Sequence, residues 1–238
     1  MSKWSYKDML PRAVDASRRR RVLKCALDRM PEQWGGLPVA ASPTGLVIEP
    51  LSPRLWASFE DLLDDGGPAG RCWCMAPRIG ADYRRQAADE NRDAFRQIVR
   101  RGPPPGLIAL DGELAVGWCQ LTPRASVPGV ERGWRTRRVD DTSVWLISCL
   151  YVRKGHRRRG ITAFLIDHAV EYARAAGAPG VEAYPLDGTL SRSSTDTGYA
   201  TTFATAGFVE IARRSPERPI MRLTLTQADL LTPTEPAP

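Results

Sequence analysis

The spacing of apolar positions changes along the chain, and each change marks an element. "LVIEPL" (46–51) is short, apolar and bounded by turn residues, which predicts a strand. Pro53 opens "RLWASFEDLLDD", where Leu55, Phe59, Leu62 and Leu63 recur at helical intervals until Gly66-Gly67. After the compact apolar turn "RCWCMAP", a second helix is predicted over about Tyr83 to Arg101, with Ala87, Phe95 and Ile98 as its sparse apolar side. "GLIALDGELAVGWCQLT" reads as a hairpin, strands 107–110 and 114–121 joined at Asp111-Gly112. "SVWLISCLYV" (143–152) is nearly continuous in apolar residues, as a central strand covered on both faces must be. Ile161, Phe164, Leu165, Ala169, Tyr172 and Ala176 then return to helical spacing and stop at Gly177, and "VEAYPL" (181–186) follows as a strand. Strand, helix and strand in this order make a right-handed crossover between parallel neighbours. A short helix over about Tyr199 to Ala206 and the antiparallel pair "FVEIAR" and "IMRLTL" complete the pattern. The class is α/β.

Composition refines this without changing it. With 42% hydrophobic and 26% charged residues the chain is an ordinary globular one, and no apolar run approaches the length of a membrane span. The N-terminus carries Lys3, Lys7, Asp8 and Arg12 and lacks the apolar core of a secretory signal, so a cytoplasmic location is expected. The net charge of +7 is uneven: residues 1–45 hold nine Lys/Arg against four Asp/Glu, leaving 25 against 23 elsewhere. "GGLPVAASPTG" (35–45) reads as a linker. Three segments follow: a basic, partly helical extension over 1–40, a main domain over 45–225, and a disordered tail over 226–238. Five cysteines make no disulfide framework. Cys72 and Cys74 have no His or further Cys pair at ligand spacing, and the only histidines are His156 and His168, so no metal site is expected.

The candidate chemistry lies in "LYVRKGHRRRGITAFL" (150–165). A strand-to-helix turn exposes the first backbone N–H groups of the helix at its partially positive end, which suits an anion. Arg157, Arg158 and Arg159 add cations, Gly160 permits close approach and Thr162 offers a hydroxyl. The same residues nearly match the nucleotide loop GxxxxGK[ST] through Gly155, Gly160 and Thr162, but Ile161 stands where that loop needs a lysine to reach phosphates. A pyrophosphate fits the turn better than a nucleotide to be hydrolysed.

On "RRRGIT" (157–162), the preceding "LYV" and "FATAGF" (203–208), roughly residues 45–225 resemble the GNAT superfamily of acetyl-CoA-dependent N-acetyltransferases. The resemblance implies a mixed, mostly antiparallel twisted sheet whose central parallel pair splays around the coenzyme, with helices on its flanks. It implies acetyl-CoA as co-substrate, no metal, and transfer to an amine without an acyl-enzyme. The backbone of Arg158, Gly160, Ile161, Thr162 and Ala163, with the Arg157 and Arg159 side chains, would hold the pyrophosphate. Leu150, Tyr151 and Val152 would receive the pantetheine arm like an added strand, a backbone N–H there polarising the thioester carbonyl. Trp73 and Met75 would line the acceptor pocket, although an aromatic anchor pinning a loop reads equally well. The acceptor is a small molecule or a protein amino group, and a homodimer is compatible with the family.

Acyl transfer to an amine needs a base for the nucleophile's proton and an acid for the departing thiolate. Glu182, in an otherwise apolar strand, is the candidate base; a carboxylate ion-paired to an arginine is the alternative. The family's tyrosine acid falls at Phe203 here, which leaves Tyr184, on the face of Glu182, and Tyr199, one helical turn before Phe203, as substitutes. Cys149 reads as a small core residue. Ser194, in the hydroxyl-rich "SRSSTDTGY", is a further coenzyme candidate, and the Arg-rich stretch 124–141 is long enough for a functional loop. Two other readings stay open: a coenzyme-binding regulatory module without catalysis, suggested by Phe203, and an acyltransferase or binder that uses the basic residues 17–24 on nucleic acid.

Overall fold

The computed structural model describes residues 45–64, 69–188 and 196–225. The basic extension, most of the linker, the C-terminal tail and Ser194 lie outside the described residues. Seven strands form one sheet in the order β1-β2-β3-β4-β5-β7-β6. They are β1 (Leu46–Pro50), β2 (Gly106–Asp111), β3 (Leu114–Pro123), β4 (Trp145–Val152), β5 (Gly180–Ala183), β6 (Val209–Ser215) and β7 (Arg218–Thr224). Every pairing is antiparallel except β4 with β5, so the sheet has one parallel pair at its centre, as expected.

Six helices flank the sheet among the described residues: α1 (Trp56–Leu63), α2 (Ala69–Cys72), α3 (Ala76–Ile79), α4 (Ala88–Arg101), α5 (Ile161–Ala175) and α6 (Ala200–Thr205). α4 starts later than the apolar spacing suggests. Residues Gly80–Arg84 form a separate 3-10 turn, and Glu90 Oε2 accepts the Ala87 N–H at 3.0 Å, closing the helix start five residues further on. The stretch 124–141 holds two 3-10 turns, Arg124–Ser126 and Pro128–Arg132. β5 ends at Ala183, short of the 181–186 run, because the chain there leaves β4.

β4 is apolar on both faces because both are covered. α5 lies on one, turning Ile161, Leu165, Ile166, Ala169 and Ala173 inward, with Tyr172 edge-on to Trp145 at 6.1 Å. The other face carries two apolar clusters. One gathers Trp56, Phe59, Trp73, Phe95 and Trp118, with Phe59 and Trp118 centroids 4.7 Å apart. The other gathers Val127, Val130, Leu146, Tyr184 and Ile220. Burial of each large apolar side chain here contributes roughly 1.5–3 kcal/mol, which anchors the irregular 69–84 segment. Asn91 of α4, fully buried, pins that segment by donating to the Arg71 and Tyr83 carbonyls at 3.1 and 2.9 Å. Among the described residues no helix is long and apolar enough to cross a membrane.

Candidate active site

β4 and β5 pair only from Trp145/Val181 to Ile147/Ala183 and then separate. At the same point β4 shifts register against β3: Gln120 faces Cys149 and Leu121 faces Ile147, so Ser148 is an extra residue. Such a bulge bends a strand and re-aims the residues beyond it. The far half of β4 leads into the turn before α5. Gly160 caps that helix at φ +78° and Arg158 sits at φ +64°, a backbone path that presents the leading amides of α5 outward. A Cβ at Gly160 would meet nothing within 4 Å. Arg158, Arg159 and Ala163 are exposed, whereas the Ile161 side chain is buried, so Ile161 can offer only its backbone. The Arg157 side chain is exposed too, but it folds back on β4: Nε donates to the Val152 carbonyl at 3.0 Å, and the guanidinium lies 6.0 Å from the Tyr151 ring centroid. Tyr151 itself packs into the aromatic cluster. Beside the turn, Ala163, Asp167, Thr201, Thr202, Thr205 and Ala206 line a groove of about 380 Å³ between α5 and α6.

The opening between β4 and β5 is bridged by the chain itself. The Leu150 N–H donates to the Asp196 carbonyl at 2.7 Å, the Leu186 N–H to Gly198 at 2.8 Å, and the Ala200 N–H to Leu186 at 2.9 Å. Arg218 Nη1 holds this segment through Thr197 Oγ1 at 2.8 Å. The donor at Leu150 on which a pantetheine arm would draw thus already has an acceptor. Nothing in the sequence pattern signals this contact.

Glu182 is 1% exposed on the face opposite α5. Its Oε2 accepts Arg124 Nη1 at 2.8 Å, and its Oε1 accepts Arg222 Nε and Nη2 at 2.9 and 2.6 Å. Both oxygens of the proposed base are therefore engaged by guanidinium groups. Arg124 also donates to Glu131 at 2.6 Å, to the Thr136 carbonyl at 2.7 Å and to the Tyr184 hydroxyl, while Arg222 reaches Asp140 at 2.8 and 3.0 Å. Tyr184 donates to the Thr136 carbonyl at 2.9 Å, and it shares Arg124 with Glu182, as the two-residue period requires. Burial pushes the Tyr184 phenol up, against the pull of Arg124. Burial tends to raise Glu131, but hydrogen bonds from Arg124 and the Arg138 amide outweigh it and hold the carboxyl below its usual range. Asp140 is held far below that range, chiefly by Arg222. Tyr199 is 38% exposed and caps α6; Phe203 is fully buried against Phe208, 5.1 Å between centroids.

Trp73 and Met75 are 2% and 6% exposed. Trp73 stacks on Trp56 at 6.2 Å, so the structure gives the anchoring alternative its partners. Trp73 and Cys74 both adopt positive φ, +46° and +57°, a tight path held by Trp118 Nε1 on Cys74 Sγ (3.1 Å) and Gln120 Nε2 on the Cys74 carbonyl (3.3 Å). Cys149 packs beside this turn, where a hydrogen bond to Cys74 and burial push its thiol well up, which suits a core residue and not a nucleophile. Among the described residues no group of three or more His, Cys, Asp or Glu is placed to hold a metal ion. Sequence reasoning did not find Arg78, Arg124, Glu131, Asp140 or Arg222; the Arg-rich composition of 124–141 was the one available signal for part of this set.

A splayed parallel pair, a bulged central strand and a glycine-capped helix start make up the scaffold at this site. Residues 69–187, half of the chain, match the acetyltransferase (GNAT) family, and the chain belongs to that family and is an acyltransferase. Among solved structures it is similar to the GNAT domain of S. lividans PAT, at 15% identity over 82% of this chain and 99% of that one, with a TM-score of 0.50. It is also similar to the Drosophila melanogaster polyamine N-acetyltransferase, an enzyme that forms N-acetylagmatine (12% identity, 76% and 100% covered, TM-score 0.48). A third similar structure is yncA from Salmonella typhimurium, solved with acetyl-CoA (15% identity, 76% and 95% covered, TM-score 0.46). At these identities the likeness is one of fold. No curated protein matches the chain.

Proposed function

We propose that the protein moves an acetyl group from acetyl-CoA to an amine by direct transfer. The observation that carries this reading is the succession along one segment of chain of the separation of β4 from β5, the exposed Arg158 and Arg159, and the leading amides of α5. The Gly160–Ala163 backbone would hold the pyrophosphate, with Arg157 turning from the Val152 carbonyl to join it, and Leu150 to Val152 would hold the pantetheine arm once Asp196 yields the Leu150 amide. Bound there, acetyl-CoA supplies an activated acetyl thioester. The Leu150 N–H, released from Asp196, becomes a donor for an oxygen that gains charge.

Glu182, with both oxygens engaged, fixes Arg124 and Arg222 and so shapes the acceptor face. Tyr184, kept protonated by burial, serves as the acid for the departing thiolate once its hydroxyl turns from the Thr136 carbonyl, with Tyr199 as its alternate, and the proton of the attacking amine passes to solvent water. The buried Phe203, at the position where the family often places a tyrosine acid, favours a second reading: a module that binds the coenzyme without turnover. Measuring coenzyme A release with a panel of amines separates the two, turnover supporting the enzyme and binding without turnover the module. Gly160→Glu is expected to abolish coenzyme binding, because it puts negative charge where the phosphates would lie; the side chain meets no clash, and the fold survives with local strain at φ +78°. Unchanged acetyl-CoA affinity in that variant would remove the placement.

A further inference from the structure

The acceptor face carries an uneven charge pattern. In the Glu182 network the ion pairs join two arginines, Arg124 and Arg222, to three carboxylates, Glu131, Glu182 and Asp140. Arg132 is paired with Asp82 at 2.9 Å. Arg78 differs from all of these. Its Nη1 donates to the Ser126 carbonyl at 3.0 Å, its Nε is buried without a hydrogen-bond partner among the described residues, and no carboxylate there pairs with it. The guanidinium lies 5.9 Å from the centroid of the fully buried Phe95. The side chain is half-buried, and burial lowers its pKa with no carboxylate among the described residues to offset it. An uncompensated charge in such a place costs free energy that an arriving anion returns.

Its position connects it to the chemistry. α3 follows directly on the Cys72–Met75 turn; the Cys74 carbonyl takes Gln120, and Gln120 stands opposite Cys149, next to Leu150 where β4 leaves β5. Ser126, which holds Arg78, lies in the same 3-10 turn as Arg124, which holds Glu182. Arg124 and Ser126 share one three-residue turn, so a carboxylate-rich network and a cation without a carboxylate partner among the described residues are tied to the same short piece of chain. That pattern complements an acceptor with an amine at one end and an anion at the other.

We propose that Arg78 binds a carboxylate on the acceptor, so that this enzyme prefers amino-acid-like amines to amines without an anionic group. The proposal rests on the acetyltransferase reading above. The planar fork of arginine matches a carboxylate better than the point charge of lysine does, which gives the position a graded test.

The experiment measures kcat/KM with acetyl-CoA for the common amino acids and their carboxamides, in the wild type, Arg78→Gln and Arg78→Lys. The wild type is expected to prefer acids by at least about tenfold; Arg78→Gln brings the ratio near one by raising KM for the acids, with kcat on the amides and the KM for acetyl-CoA unchanged. Arg78→Lys restores part of the preference. Calorimetric titration of the same amino acids into protein saturated with coenzyme A repeats the comparison without turnover. A preference that survives in Arg78→Gln, or a wild type that binds acetyl-CoA yet treats acids and amides alike by both measures, overturns the assignment of Arg78 alone. A wild type that binds no acetyl-CoA overturns the acetyltransferase reading, and Arg78 with it.

Discussion

Glu182 illustrates why a residue's chemistry depends on what reaches it. In sequence it is a carboxylate alone in an apolar strand; in space it is clasped by two arginines whose side chains are themselves 9% and 13% exposed. Removing one partner from a buried pair leaves the others charged and desolvated, so Glu182→Gln is expected to lower stability by about 3–5 kcal/mol in a denaturant titration. A loss of kcat with unchanged stability would instead mark Glu182 as a base. Tyr184→Phe tests the acid: kcat falls by about 10²-fold with little change in acceptor KM, whereas Tyr199→Phe leaves kcat nearly intact. The network also sets acid stability. Asp140 and Glu131 have folded-state pKa values below their ordinary ones, so the unfolded chain binds protons first as pH falls. The stabilisation is complete above about pH 5 and is lost as pH falls below about 4 through the depressed folded values. Asp140→Asn is expected to flatten the melting temperature between pH 5 and 3, measured by calorimetry; an equally steep decline in the variant would assign the acid limb to other groups.

At the scale of elements, what a stretch shows in sequence depends on how far away its partners lie. The β2–β3 hairpin turns at Asp111-Gly112, its register fixed by residues a few positions apart, and it falls where the alternation put it. The parallel pairing of β4 with β5 followed from the crossover through α5, again a local rule. The 69–84 segment has no such rule. Its turns are held by Trp118 and Gln120, more than 40 residues away, and by the 128–132 turn, whose Arg132 donates to the Ile79 carbonyl at 2.8 Å and pairs with Asp82. That turn can approach because Gly129 has no side chain: a Cβ there would lie 2.4 Å from Gly80 N, 2.8 Å from the Pro77 carbonyl oxygen and 2.9 Å from the Arg78 carbonyl carbon. These are backbone atoms that cannot step aside. Gly129→Ala is therefore expected to cost about 1–3 kcal/mol and to weaken acceptor binding through the displaced 77–80 backbone, with coenzyme affinity unchanged, read by titrating each ligand in turn. Equal losses for both ligands would show the damage to be global.

For the molecule as a whole, the fold and the strand-to-helix turn before α5 were legible because apolar periodicity and a glycine-arginine turn are written in consecutive residues, whereas the buried ion-pair network around Glu182 was not. Arg124 meets Glu182 across 58 positions and Arg222 meets Asp140 across 82, and Arg78 is informative through the carboxylate partner it lacks among the described residues. The Asp196–Leu150 bond belongs to the same class of fact. A ligand that binds only the folded chain stabilises it by mass action, about 2.7 kcal/mol at a concentration one hundred times Kd. For a domain of this size that is a rise in melting temperature of roughly 5–10 °C, to be read by differential scanning calorimetry with coenzyme A. On the proposed placement of the pantetheine arm, the fold would consume part of this gain, since the Leu150 amide would exchange one acceptor for another. Thr197→Ala, which removes the hydroxyl that holds the 196–199 segment to Arg218, is therefore expected to lower the melting temperature of the free protein and to tighten coenzyme A binding several-fold, because less of the binding energy is spent on displacing Asp196. If the variant binds coenzyme A no more tightly than the wild type, the segment stays in place in the complex, and the pantetheine arm does not draw on Leu150.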